Sequence, residues 1–145
     1  MKTSPLEKNL SEIFEKIYPA MEKEEKISLP EIYDLYFLAK EKYLVAGENE
    51  RTEKVRDLML IIFFRTGRTF EKFVIDWQKG KFRPSQQELE LLKKGCNEVL
   101  EVFDGYLKPE LLIHPRRPYD AHYSETKEKI SKIRELVQRE ERVYN

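Results

Sequence analysis

Residues 49–66 read NERTEKVRDLMLIIFFRT, and the apolar run Leu58–Phe64 within them decides the fold. On its own, such a run suits a buried strand as well as a buried helix. Val55, Leu58, Met59, Ile62 and Phe63 recur at helical spacing, and no turn residue introduces the run. The spacing therefore predicts a central helix from near Asn49 to Thr66, apolar on nearly all sides.

Outward from this helix the same period recurs. Toward the N-terminus, Ser4-Pro5-Leu6-Glu7 carries a capping signal, and Leu6, Leu10, Ile13, Phe14 and Ile17 share one face. Pro19 and the polar stretch 22–26 interrupt this element. Ser28-Leu29-Pro30-Glu31 repeats the start signal, Ile32, Leu35, Tyr36, Ala39 and Tyr43 form the next stripe, and Gly47 stops it. Toward the C-terminus, Gly67 reads as a break or kink, and a short helix carrying Phe70, Phe73, Val74 and Trp77 runs to Gly80. Pro84-Ser85-Gln86-Gln87-Glu88 is a further capping box, followed by Leu89, Leu92, Cys96, Val99, Leu100, Phe103 and Leu107 at helical spacing until Pro109. Residues 109–123 lack periodicity and hold three prolines, which predicts a linker. Ser124 then starts a charged helix with the narrow stripe Ile130, Ile133, Leu136 and Val137, suited to edge-on docking or to pairing with another chain. The expectation is an all-α chain: a bundle of about five helices over 1–108, a linker over 109–123, and a C-terminal helix over 124–145.

Charged residues make up 37% of the 145-residue chain, well above the usual quarter, and the formal net charge is zero. The charge is uneven: residues 51–84 carry nine basic and four acidic side chains, whereas residues 1–50 carry seven and eleven. A basic middle third fits nucleic acid, an acidic partner or a solvated helix face. Cys96 is the single cysteine and lies on an apolar stripe, so it reads as a core residue in a reducing compartment. No apolar run reaches the length of a membrane span and no secretory segment opens the chain, which places it in the cytoplasm.

Catalytic signals are sparse. There is no G-x-G-x-x-G, no Walker loop and no C-x-x-C, and nothing implies a metal or a cofactor. Arg117 and His122 have the Arg-x4-His spacing of HEPN ribonucleases, but Pro118 follows the arginine directly and the segment does not read as a helix interior. His114 and His122, seven linker residues apart, have no recognised metal-ligand spacing. Lys72, Lys79, Lys81 and Arg83 are the candidate nucleic-acid contacts, interleaved with Phe70, Phe73, Trp77 and Phe82. Of these aromatics, Phe82 is the one expected to be exposed. On that reading the chain is a small helical nucleic-acid binder, such as a CRISPR-effector small subunit or a viral regulator.

Residues 5–107 resemble the helical A domain of a GINS subunit, of the archaeal type whose A domain comes first. The resemblance rests on four features. They are the helix ending in Arg65-Thr66-Gly67-Arg68, the second helix Thr69–Lys79, the loop to Pro84-Ser85-Gln86-Gln87-Glu88-Leu89, and the long helix ending at Tyr106-Leu107. The earlier Ser28-Leu29-Pro30-Glu31-Ile32-Tyr33 is similar to the family's start of its second helix. The resemblance implies a non-catalytic scaffold subunit in DNA replication. Its partners would be other GINS subunits, the MCM helicase and a RecJ-like protein. Arg65 and Arg68 would fix the turn between two helices, and Phe70 and Trp77 would lie in or beside the core. The family's β-rich B domain has no counterpart beyond Leu111-Leu112-Ile113.

Overall fold

A computed structural model describes residues 4–17 and 26–144, and the interruption expected at Pro19 and over 22–25 lies outside them. The elements are α1 (Pro5–Ile17), α2 (Leu29–Val45), α3 (Glu53–Gln78), α4 (Gln86–Val102), α5 (Lys108–Ile113) and α6 (Asp120–Tyr144), with a single π turn over Phe103–Leu107 between α4 and α5. Among the described residues there is no strand, so the fold is all-α and the run Leu58–Phe64 is helical.

Local chemistry explains most helix starts. The Glu7 amide donates to Ser4 Oγ at 3.1 Å and the Val55 amide to Thr52 Oγ1 at 3.4 Å. Ser85 and Glu88 close a reciprocal capping box, with bonds of 3.1 and 3.0 Å. The second start signal works differently: α2 begins with Pro30 in its first turn, but the Ser28 side chain makes no cap bond.

α3 is the axis of the bundle. At 1.5 Å per residue its 26 residues span about 39 Å. α1 and α6 pack along it, while α4 packs on α6 and α2. Met59, Ile62, Phe63, Phe70 and Phe73 from α3 meet Leu10 and Ile17 from α1, Tyr36 and Tyr43 from α2, and Leu89, Leu92 and Val99 from α4 in one continuous core. The rings of Phe63 and Phe103 stack at 4.6 Å.

Three expectations are corrected here. First, Gly67 does not break the helix, which runs unbroken through Arg65-Thr66-Gly67-Arg68. Gly67 is buried, and its missing side chain lets α6 approach, because a Cβ there would stand 2.7 Å from Thr126 Cγ2. Arg65 and Arg68 therefore fix no turn. Second, Pro109 does not stop the chain. The π turn shifts the hydrogen-bond ladder, with the Lys108 amide donating to the Phe103 carbonyl, and Pro109 then falls in the first turn of α5, where a missing amide costs little. Third, the division into 1–108, 109–123 and 124–145 does not hold. α5 occupies part of the expected linker, and α6 starts at Asp120, ahead of Ser124. α6 also buries Thr126, Ile130, Ile133 and Val137 against α3 and α4, so it belongs to the bundle.

Candidate functional site

The irregular segment between α5 and α6 is tied to α3 by Arg116. Its Nε donates to Asp57 Oδ1 at 2.6 Å, and its backbone amide donates to Asp120 Oδ1 at 2.9 Å. The bond from Asp57 holds the guanidinium above its usual range. This anchor fixes how α6 leaves the segment, and its first turn opens a cleft against α1 and α3.

The cleft has two lobes. The larger, of about 610 Å³, has aromatic and aliphatic walls: Phe14 from α1, Ile61 and Phe64 from α3, and Tyr119 and Tyr123 at the start of α6. Arg116 and Asp57 close one end. Burial, followed by the nearby carboxylates of Asp57 and Asp120, pushes the Tyr123 hydroxyl above its usual range and keeps it neutral. The smaller lobe, of about 280 Å³, is the more polar of the two and is lined by Arg68, Glu125, Thr126 and Lys129. Phe64, Arg65 and His122 line both lobes and join them. Charges in the smaller lobe are loosely paired: Glu71 lies 3.5 Å from Arg68 and 3.3 Å from Lys129, and Glu125 lies 3.5 Å from Lys129.

A second surface feature lies on α2. Phe37, Leu38 and Val45 stand on the outward side of α2, with Leu38 and Val45 two helical turns apart, while Leu44 is partly buried against the core. Exposure is 38% for Phe37, 43% for Leu38 and 84% for Val45. With Lys40, Glu41 and Lys42 they line a shallow groove. Nearby in the fold, the Tyr43 hydroxyl donates to both carboxylate oxygens of Glu110, at 2.7 and 2.8 Å, and moors α5 to α2. α5 then carries Leu112 and Ile113 outward, 78% and 72% exposed.

The residues singled out in the sequence divide among these places. Arg65 and Arg68 reach the cleft, where they meet His122. Phe70 is a core residue whose ring packs on Gly95, 2.9 Å from where a Cβ would stand, and Trp77 is half-buried against the core. The proposed nucleic-acid contacts do not converge: Lys72 and Lys81 both pair with Asp76, at 3.2 and 3.3 Å, while Lys79 and Arg83 are exposed in and beyond the turn that follows α3. Phe82 is not an exposed stacking platform. It packs against Phe73 at 4.8 Å, with Lys26 Nζ 4.6 Å above its ring.

Arg117 precedes α6 and His122 lies in its first turn, so the two do not project from one helix as the ribonuclease spacing requires. Cys96 is fully buried, and burial pushes its thiol up to about 12. Among the described residues, no group of three His, Cys, Asp or Glu side chains is placed to hold a metal, and no helix is long and apolar enough to cross a membrane.

Sequence reasoning missed Tyr119, Tyr123, Arg116 and Lys129 as site residues. A signal existed: Tyr119, His122, Tyr123, Thr126 and Ile130 follow helical spacing, but Pro115 and Pro118 masked the onset of the period. Comparison of the chain with protein-family models, with curated proteins and with solved structures found no match.

Proposed function

We propose that this chain is a non-catalytic subunit that joins a larger assembly through the outward face of α2. The carrying observation is the exposed apolar set Phe37, Leu38 and Val45, with Leu38 and Val45 one heptad apart, on a helix whose opposite face is already buried in the core. Exposed apolar stripes of this kind, flanked by charges of both signs, suit an amphipathic helix of a partner subunit. Leu112 and Ile113 on α5 are further exposed apolar side chains.

The narrower form of this reading is a GINS-like subunit that associates with the MCM helicase and a RecJ-like protein in DNA replication. It draws only on the resemblance across residues 5–107. The uninterrupted α3 removes one motif of that resemblance, the helix boundary at Arg65–Arg68.

The test is affinity purification of the chain from its source cells, with mass spectrometry of what accompanies it, beside the double variant Leu38→Glu, Val45→Glu. Both positions face solvent, so the variant should melt as the parent does. A partner that is retained by the parent and lost by the variant is the expected result, and other GINS subunits or MCM among the partners would support the replication form. Equal recovery with both proteins would remove α2 as the docking face.

A further inference from the structure

We infer that the two-lobed cleft between α1, α3 and α6 binds a nucleotide, with its phosphate in the polar lobe and its base in the aromatic one. This goes beyond the docking role of α2 and does not depend on it.

Arg65 and Arg68 on α3 and Lys129 on α6 bring three permanent cations to the smaller lobe, with His122 beside them. Among the described residues, the carboxylates paired with Arg68 and Lys129 are Glu71 and Glu125, and these contacts of 3.3–3.5 Å are long for charge-assisted bonds. Arg68 and Lys129 are also partly exposed, so these pairs are weak and can yield to a dianion.

The larger lobe supplies flat apolar faces from three elements, through Phe14, Phe64 and Tyr119. Such faces accept a nucleobase by stacking. At about 610 Å³ the larger lobe is in the size range of small-ligand sites, and the smaller lobe adds about 280 Å³.

The far end of the larger lobe holds Asp57 already paired with Arg116 at 2.6 Å, so that end offers polar atoms with little net charge. A peptide carrying several carboxylates would bring charge between the apolar walls of this lobe, whereas a nucleotide confines its charge to the phosphate. The base also offers amino or imino N–H groups that a carboxylate accepts. The same chemistry is presented by a free nucleotide and by the phosphorylated end of a single strand.

Isothermal titration calorimetry tests this on the full chain, with the four nucleoside monophosphates, adenosine, inorganic phosphate and a 5′-phosphorylated dinucleotide. At least one monophosphate should bind one to one, with the unphosphorylated nucleoside and phosphate alone each at least about tenfold weaker. Arg68→Gln and Lys129→Gln should each weaken that binding by about tenfold, or ~1.4 kcal/mol, with unchanged melting curves. The double variant Leu38→Glu, Val45→Glu should bind as the parent does.

A dinucleotide that binds more tightly identifies the end of a strand as the ligand, and equal affinity identifies the free nucleotide. The inference fails if no monophosphate or dinucleotide binds at millimolar concentration, or if adenosine matches AMP. It fails equally if both charge variants leave the affinity unchanged, or if an acidic hexapeptide binds where nucleotides do not.

Discussion

At Gly67 the backbone of α3 lies so close to α6 that a methyl group would stand 2.7 Å from Thr126 Cγ2 and 2.9 Å from Ile130 Cδ1. Thr126 has little freedom to turn away, because its hydroxyl donates to the His122 carbonyl at 2.8 Å. Gly67→Ala gains about 1 kcal/mol of helix propensity but overpacks a closed contact, at a cost of roughly 1–3 kcal/mol. The expected net is a loss near 1 kcal/mol, read as a fall in Tm of roughly 3 °C. Gly105→Ala is the control, since nothing lies within 4 Å of a Cβ there, and its Tm should not fall. A rise in Tm for Gly67→Ala would show that α6 can move off α3. The sequence reading treated this glycine as punctuation. Its spacing is compatible with a break or with a close approach, and only the partner helix distinguishes the two.

The C-terminal end of α3 is closed by a backbone cap, with Gly80 at φ +80° donating to the Trp77 carbonyl and the Lys81 amide to the Asp76 carbonyl, and by a charge arrangement. Asp76 stands in the last turn, where a carboxylate opposes the helix dipole. Lys72, one turn back, and Lys81, beyond the helix, grip its two oxygens at 3.2 and 3.3 Å. Burial acts to raise the Asp76 pKa, but the two lysines outweigh it and hold the carboxyl below its usual value. A carboxyl depressed in the folded state stabilises the fold fully above the ordinary carboxylate pKa, and that contribution is lost as pH falls through the folded value. Melting curves taken from pH 7 down to about 2.5 should therefore show a shallower acid limb for Asp76→Asn than for the parent. Superposable limbs would mean that the three charges are not coupled in solution. The same arrangement draws Lys72 and Lys81, two of the four basic residues in the stretch 72–83, onto one carboxylate.

For the whole molecule, α6 decides whether the chain is one unit or two. It buries Ile130, Ile133 and Val137 along α3 and α4. At about 1.5–3 kcal/mol per buried aliphatic side chain, the three supply roughly 5–9 kcal/mol. That is comparable with the entire stability of an ordinary domain, about 5–15 kcal/mol. A chain ending at Tyr119 should therefore lose its cooperative thermal transition by circular dichroism, whereas a sharp transition would restore the two-unit division. α6 also completes the cleft, because Tyr119, His122, Tyr123 and Lys129 all belong to it or to the residue before it. Truncation should abolish nucleotide binding together with the fold, which is why single charge variants are the better probe of the site.

Helical class and the buried faces of α1, α2, α3 and α4 follow from the sequence alone, because burying one face of a helix demands apolar residues at a period of 3.6, and that period survives without any neighbour in view. The π turn, the unbroken passage of α3 through Gly67 and the docking of α6 are set by contacts between residues far apart in the chain. Arg65 and Arg68 meet His122 and Lys129 only because Gly67 lets two helices lie close. A cleft is a property of the space between elements, and no local pattern of residues encodes that space.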